Sequence, residues 1–308
     1  MVGSNKEGRM RAAILSGITL AALLCAAPPA PLPALAGQPD TPQGGTMEDE
    51  RLKNGREHLS RLNPNAEAAL HAALDGIAPD MVEMVVAFGY GDIYARPGLA
   101  TQDRQVATIA ALAALGNAEP QLYFHIDGGL NAGLTPREVV ETIYVTTVFA
   151  GFPAGLNALA VARRVFEARG VRPEPAPAQE GGRRARGLAA VEATSKGAGQ
   201  KVLDSLGDIA PDMAGFILDF SYGDVISRPW LAPRRKEIAM VAAAAARGTM
   251  RPQLKVHARA GLQVGLSRQE LTEVAMQMAG YAGFPASLNA LAALREVFEE
   301  ADAGTGAR

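Results

Sequence analysis

The chain has 308 residues, 48% of them hydrophobic, and 30 basic side chains against 32 acidic ones give a formal net charge of −2. That balance, with no basic block beyond the stretch GGRRARG, argues against a nucleic-acid-binding protein. A single cysteine, Cys25, excludes an intramolecular disulfide, a Cys-x-x-Cys redox centre and a thiolate metal site.

In chain order, the first feature is a basic start (Lys6, Arg9, Arg11), followed by the apolar run AAILSGITLAALLCAA and then PPAPLPALAG. Ala34 and Ala36 have the small-x-small spacing of a signal-peptidase site, so residues 1–36 are predicted to be a secretory signal peptide. The apolar run ends at prolines before reaching the ~20 residues that a membrane span requires. The expectation is a periplasmic or secreted protein with no membrane association after cleavage. Cys25 falls inside the signal, which leaves the remainder without a thiol.

Beyond the signal, the chain superimposes on itself at a shift of 132 residues without a gap. GIAPDMVEMVVAFGYGDIYARPGLA (76–100) meets DIAPDMAGFILDFSYGDVISRPWLA (208–232). PQLYFHIDGGLNAG meets PQLKVHARAGLQVG, and AGFPAGLNALAVARRVFE meets AGFPASLNALAALREVFE. So long a period indicates a duplicated domain rather than a solenoid repeat. The predicted domains are 47–170 and 186–303, joined by a Pro- and Gly-rich linker over 171–185.

Each copy reads as a bundle of about six helices. Pro79 with Asp80, and Pro211 with Asp212, mark a helix start. YGD followed by RPGL or RPWL reads as a loop, because Gly and Pro punctuate it. Next come a helix through RQVATIAALAAL or KEIAMVAAAAA and a histidine-bearing helix that stops at Gly133 or Gly265. Thr135 to Glu138 and Ser267 to Glu270 are predicted capping boxes. After the GFP turn, Leu156, Leu159, Ala162 and Phe166 form the apolar face of a last helix.

Of four histidines, only His125 and His257 have counterparts in the other copy, while His58 and His71 read as surface or packing residues. Gln121 and Gln253 precede them by four residues, on the same helix face. Twenty residues upstream lie Gln105 and Glu237, which two adjacent helices could bring alongside the imidazoles. A carboxylate beside an imidazole orients its tautomer and makes it an acid–base catalyst near neutral pH, and only the second copy has that pair. A histidine satisfied by its neighbours within helix packing is the competing explanation. Arg96 and Arg228 could hold an acidic group by paired hydrogen bonds, or could bond loop carbonyls. Tyr90 and Tyr222 could offer a hydroxyl to an oxyanion, or wall a cavity. Asp92 and Asp224 read as turn or helix caps. One histidine per copy does not supply the three or four converging ligands of a metal site, so neither metal nor cofactor is expected.

At YGD…RPGL, RKEIAMVAAAAA…PQLKVHARAGLQVGLSRQELTE and GFPASLNAL, the chain resembles the carboxymuconolactone decarboxylase family, over both copies and about four-fifths of its length. The resemblance implies an all-α fold of two tandem alkyl hydroperoxidase D-like bundles. It also implies a homo-oligomeric ring, often of six domains, which three tandem chains would complete. The peroxidases of that superfamily use Cys-x-x-Cys beside the histidine. Here Gly116–Glu119 and Gly248–Arg251 occupy that neighbourhood, so neither the thiol mechanism nor a peroxiredoxin label carries over. For the decarboxylases it implies a small acidic substrate, a γ-lactone bearing a carboxylate. His257 would be the proton shuttle, Glu237 its partner and Arg228 the anchor, with His125 acting alone or lining a weakened site. A non-catalytic small-molecule-binding or assembly protein on the same fold is the alternative.

Overall fold

The computed structural model describes residues 47–305, and every regular element among them is helical. The segment expected to be a signal lies outside the described residues. The first copy contains α1 (Met47–Leu62), α2 (Ala66–Leu74), α3 (Asp80–Met84) continued by a π-helix (Val85–Tyr94), α4 (Thr101–Leu115), α5 (Glu119–Asn131), α6 (Pro136–Ala150) and α7 (Phe152–Arg169). The second contains α8 (Arg183–Thr194), α9 (Ala198–Leu206), α10 (Pro211–Phe216), a second π-helix (Ile217–Ile226), α11 (Pro233–Arg247), α12 (Arg251–Gln263), α13 (Arg268–Gln277), a 3₁₀ turn (Met278–Gly280) and α14 (Phe284–Thr305). Helix α8 begins inside the stretch expected to be linker.

Both capping boxes form: the Thr135 and Ser267 hydroxyls accept from the Glu138 and Glu270 backbones, and each glutamate accepts in return from its cap residue's backbone N–H. The YGD segments, expected to be loops, are instead the second halves of the π-helices. Their glycines serve close approach rather than chain reversal. A Cβ on Gly223 would lie 2.2 Å from the Arg183 carbonyl oxygen, and one on Gly187 would lie 1.9 Å from that of Leu218. Gly91 and Gly55 make the equivalent approaches, both at 2.2 Å, to Arg51 and Val86. Backbone therefore packs on backbone where α1 and α8 cross the π-helices. Asp92 and Asp224 reinforce these crossings by pairing with Arg51 and with Arg183 and Arg186.

The two copies do not have separate cores. The described residues belong to one compact unit. A single apolar cluster runs from Val106, Ile109 and Ala110 of α4 to Ile238, Val241 and Ala242 of α11. These two helices are its centre, buried from Asp103 to Ala114 and from Lys236 to Ala246. They lie side by side in the same direction. Arg235, near the start of α11, donates to Asp103 near the start of α4 at 2.8 Å, and Arg247 at the end of α11 donates to the Ala114 carbonyl at 3.3 Å. Alanines along both helices let the backbones come close enough for this contact.

Gly187→Ala is expected to destabilise the chain by about 1–3 kcal/mol in urea unfolding, because the added methyl has no space. Gly76→Ala, where nothing lies within 4 Å, is expected to be close to neutral.

Candidate functional site

Helices α11 and α12 bring Glu237 and His257 together, as α4 and α5 bring Gln105 and His125. The His257 Nδ1 lies 2.9 Å from Glu237 Oε2, and the two residues are 8% and 2% exposed. In the first copy the His125 Nδ1 lies 3.0 Å from Gln105 Oε1, with exposures of 3% and 0%. A carboxylate or amide oxygen only accepts, so Nδ1 carries the hydrogen and Nε2 is left as the nitrogen able to exchange a proton. The twenty-residue spacing therefore does join these positions.

Each imidazole also meets a ring from the other copy. Phe149 at the end of α6 lies edge-on to His257 with centroids 5.2 Å apart. Tyr281, just after the 3₁₀ turn, does the same to His125 at 5.1 Å. Sequence inspection of either copy alone misses both. The signal was present in the duplication, since 149 and 281 are equivalent positions.

Electrostatically the two sites diverge. Burial pushes the His125 imidazole down to about 3, so it is neutral at pH 7. Burial pushes the Tyr222 hydroxyl up to about 12, and the nearby Glu237 charge adds to this, so it stays a neutral donor. Tyr90 is buried beside Tyr94, ring centroids 5.1 Å apart, and belongs to a small cluster with Leu59, Leu62 and Val86. It walls that cluster. Burial brings the neighbouring Lys236 ammonium down to about 8, opposed by Glu141 and Glu237.

The arginines depart from expectation. Arg228 donates through Nε and an Nη to both oxygens of Glu141, at 2.7 and 2.8 Å, and its guanidinium lies over the Tyr144 and Trp230 rings. Arg96 donates to Glu273 at 2.9 Å, where Arg104 joins it, also at 2.9 Å. Glu141 and Glu273 are each 1% exposed, and a buried carboxylate requires such partners. Both arginines therefore bind a carboxylate, but one supplied by the other copy rather than by a substrate. The acid repeated at 141 and 273 was the available signal. Gln121 and Gln253 sit in the first turns of α5 and α12 and are exposed, one turn before the buried imidazoles. His71 is exposed and pairs with Asp75, and His58 is half-buried.

Among the described residues no group of three or more His, Cys, Asp or Glu side chains converges as a metal site, and no helix is long and apolar enough to cross a membrane. A cleft of 570 Å³ lies beside Val140, Leu159 and Phe166, and one of 240 Å³ lies beside Gly248, Arg251 and Ala290. Neither is lined by an imidazole.

The profile of the carboxymuconolactone decarboxylase family matches twice, over residues 79–164 and 211–296. A 4-carboxymuconolactone decarboxylase of Acinetobacter baylyi is 33% identical over 132 residues, 43% of this chain and 90% of that protein. A nitrosuccinic acid decarboxylase of Metarhizium robertsii is 27% identical over 119 residues, 38% of this chain and 80% of that protein. A crystal structure from Burkholderia xenovorans, described as a candidate gamma-carboxymuconolactone decarboxylase subunit, superposes with a TM-score of 0.50 at 24% identity. It covers 81% of this chain and 98% of its own, a likeness of fold.

Because His125 is held neutral, its contribution to stability is full above the unfolded-state value near 6.5 and is lost as pH falls toward 3. The unfolded chain binds the proton that the folded chain refuses. Urea unfolding is expected to show a loss on the order of 5 kcal/mol at most from this group. A His125→Gln variant should have a flatter profile between pH 6.5 and 4.

Proposed function

Because this chain belongs to the carboxymuconolactone decarboxylase family, we propose that it releases carbon dioxide from a small carboxylated lactone, or a related carbonyl compound, by acid–base chemistry at Glu237 and His257. The observation that carries this is the 2.9 Å bond from Nδ1 of a nearly buried imidazole to a carboxylate that is 2% exposed. In a γ-lactone with a ring carboxylate, the bond from ring carbon to carboxylate breaks and carbon dioxide leaves. The electron pair passes through the ring double bond to the lactone carbonyl. A proton from His257 Nε2 then goes to carbon, so one substrate anion and one proton give one neutral lactone and one carbon dioxide. Glu237 holds the Nδ1–H and stabilises the imidazolium before that transfer. The Tyr222 hydroxyl, close enough to feel the Glu237 charge, supplies a neutral donor, and the Phe149 ring edge-on to His257 excludes water from that side of the imidazole, which favours loss of a carboxylate.

A second function, a binding or assembly protein, has a specific observation in its favour. Arg96 and Arg228, the side chains best suited to a substrate carboxylate, are already committed to Glu273 and Glu141.

Export and self-association belong to the same proposal. The amino-terminal signal pattern supports export. Exposed apolar side chains recur at equivalent positions, Ile77 with Ile209, Met81 with Met213, Phe152 with Phe284 and Leu156 with Leu288. Phe284 packs on Phe88 and Phe152 on Phe220, each with centroids 5.5 Å apart, so each apolar face spans both copies. Faces of this kind suit burial against further chains, and three chains would give the six-domain ring.

Wild-type protein is expected to release carbon dioxide from 4-carboxymuconolactone, with kcat falling about 10²–10⁴-fold in His257→Ala and less steeply in Glu237→Gln. Unchanged turnover in His257→Ala contradicts the assignment. Saturable lactone binding without turnover in the wild type favours the binding protein. Exported material should begin after Ala36 by N-terminal sequencing and scatter light as more than one chain; an intact Met1 or a clean monomer counts against these parts.

A further inference from the structure

The two histidine sites are lined by equivalent positions filled with opposite chemistry. Around His125, apart from the Phe124 ring edge-on at 5.0 Å, the neighbouring side chains form a polar network. The Tyr281 hydroxyl donates to the Tyr94 oxygen at 3.0 Å, and Gln105 Nε2 donates to the same oxygen at 3.4 Å. Tyr94 shares a hydrogen bond with the Thr108 hydroxyl at 2.9 Å, and Gln277 Nε2 donates to Thr108 Oγ1 and to the Arg104 carbonyl, both at 2.8 Å. Gln277 Oε1 accepts in turn from Arg104 at 3.2 Å. Tyr94, Thr108 and Gln105 come from the first copy, and Gln277 and Tyr281 from the second.

A shift of 132 residues converts Tyr94, Thr108, Gln277 and Tyr281 into Ile226, Met240, Val145 and Phe149. The second site is therefore apolar at all four places, and it has Glu237 where the first has Gln105. Such a lining suits a reaction that discards a carboxylate, because dry walls disfavour the charged ground state. The first lining does the opposite. Its hydroxyls and amides are already bonded to one another, and the partner of its imidazole has no titratable group to share a proton.

The two arrangements also differ in what they do for the fold. The polar network crosses between copies at Gln277 and Tyr281. Removing any one member costs the network at least one hydrogen bond among largely buried groups. Val145 and Phe149 make the reverse crossing by packing alone.

We propose that the chain carries one working site, at His257, and that the site at His125 is a hydrogen-bonded brace locking the second copy to the first. The first clause rests on the decarboxylase function proposed above; the brace does not.

Full-length Tyr281→Phe and Gln277→Val each install the residue found at the equivalent place in the other site. Each is expected to lower the melting temperature by about 3–10 °C while leaving carbon dioxide release within about twofold of wild type. Titration calorimetry with 5-oxotetrahydrofuran-2-carboxylate, a saturated lactone acid, should give one molecule bound per chain. Unmoved melting temperatures in both variants overturn the brace, and turnover lost at an unmoved melting temperature assigns chemistry to the first site instead. Two molecules bound per chain overturn the single working site. If the wild type neither turns over nor binds the lactone acid, the decarboxylase function and the working site that depends on it fall together, and the melting shifts still decide the brace.

Discussion

The contact on which the rest of the molecule depends is the parallel packing of α4 against α11. Two helices related by a shift of 132 residues and lying side by side in one direction place each position opposite its own counterpart. A small side chain is needed at most of these meetings, and alanine supplies it. At position 103 the counterpart is 235, so an acid in one copy faces a base in the other. Two identical first copies would set Asp103 against Asp103, and two identical second copies Arg235 against Arg235. Either pairing would set like charges against each other in a partly buried contact. Duplication within one chain permits the complementary pair, and with it a core shared by both halves.

Shared packing explains why neither site is complete within its own copy. Helix α6 carries Glu141 and Phe149 to the second site, and α13 with the following turn carries Glu273, Gln277 and Tyr281 to the first. The buried carboxylates anchor the loops after the π-helices, where Arg96 and Arg228 lie. Their equivalents are not identical in detail: Arg104 reaches Glu273 directly, whereas Lys236 donates to the Ile226 carbonyl at 2.7 Å and to that of Arg228. A guanidinium is long and forked enough to bridge acid and backbone together, and an ammonium at the same place serves only the backbone.

Much of this was legible in the sequence. Caps, glycine stops and the gapless repeat are local or periodic signals, and they fixed the helical class, the duplication and the meeting of residues twenty apart. Signals that depend on crossing between copies were not legible. The glycines of YGD resemble turn residues until α1 and α8 are seen to press on them. Arg228 resembles a free anion grip until α6 brings Glu141. Leu156, placed on a buried face by periodicity, is 63% exposed because the apolar face of α7 turns partly outward. Comparing the two copies position by position, rather than for their likeness alone, would have revealed the contrast between Tyr94, Thr108, Gln277 and Tyr281 and their apolar counterparts.

The chemistry assigned to this chain requires a lactone to reach Nε2 of one imidazole. A crystal structure of the full chain with the saturated lactone acid bound tests this most directly. The account predicts the ligand against His257 Nε2, with the Phe149 ring and the Tyr222 hydroxyl beside it and Glu237 still holding Nδ1. A ligand seated instead in the cleft beside Val140 and Phe166, with His257 untouched, would contradict it.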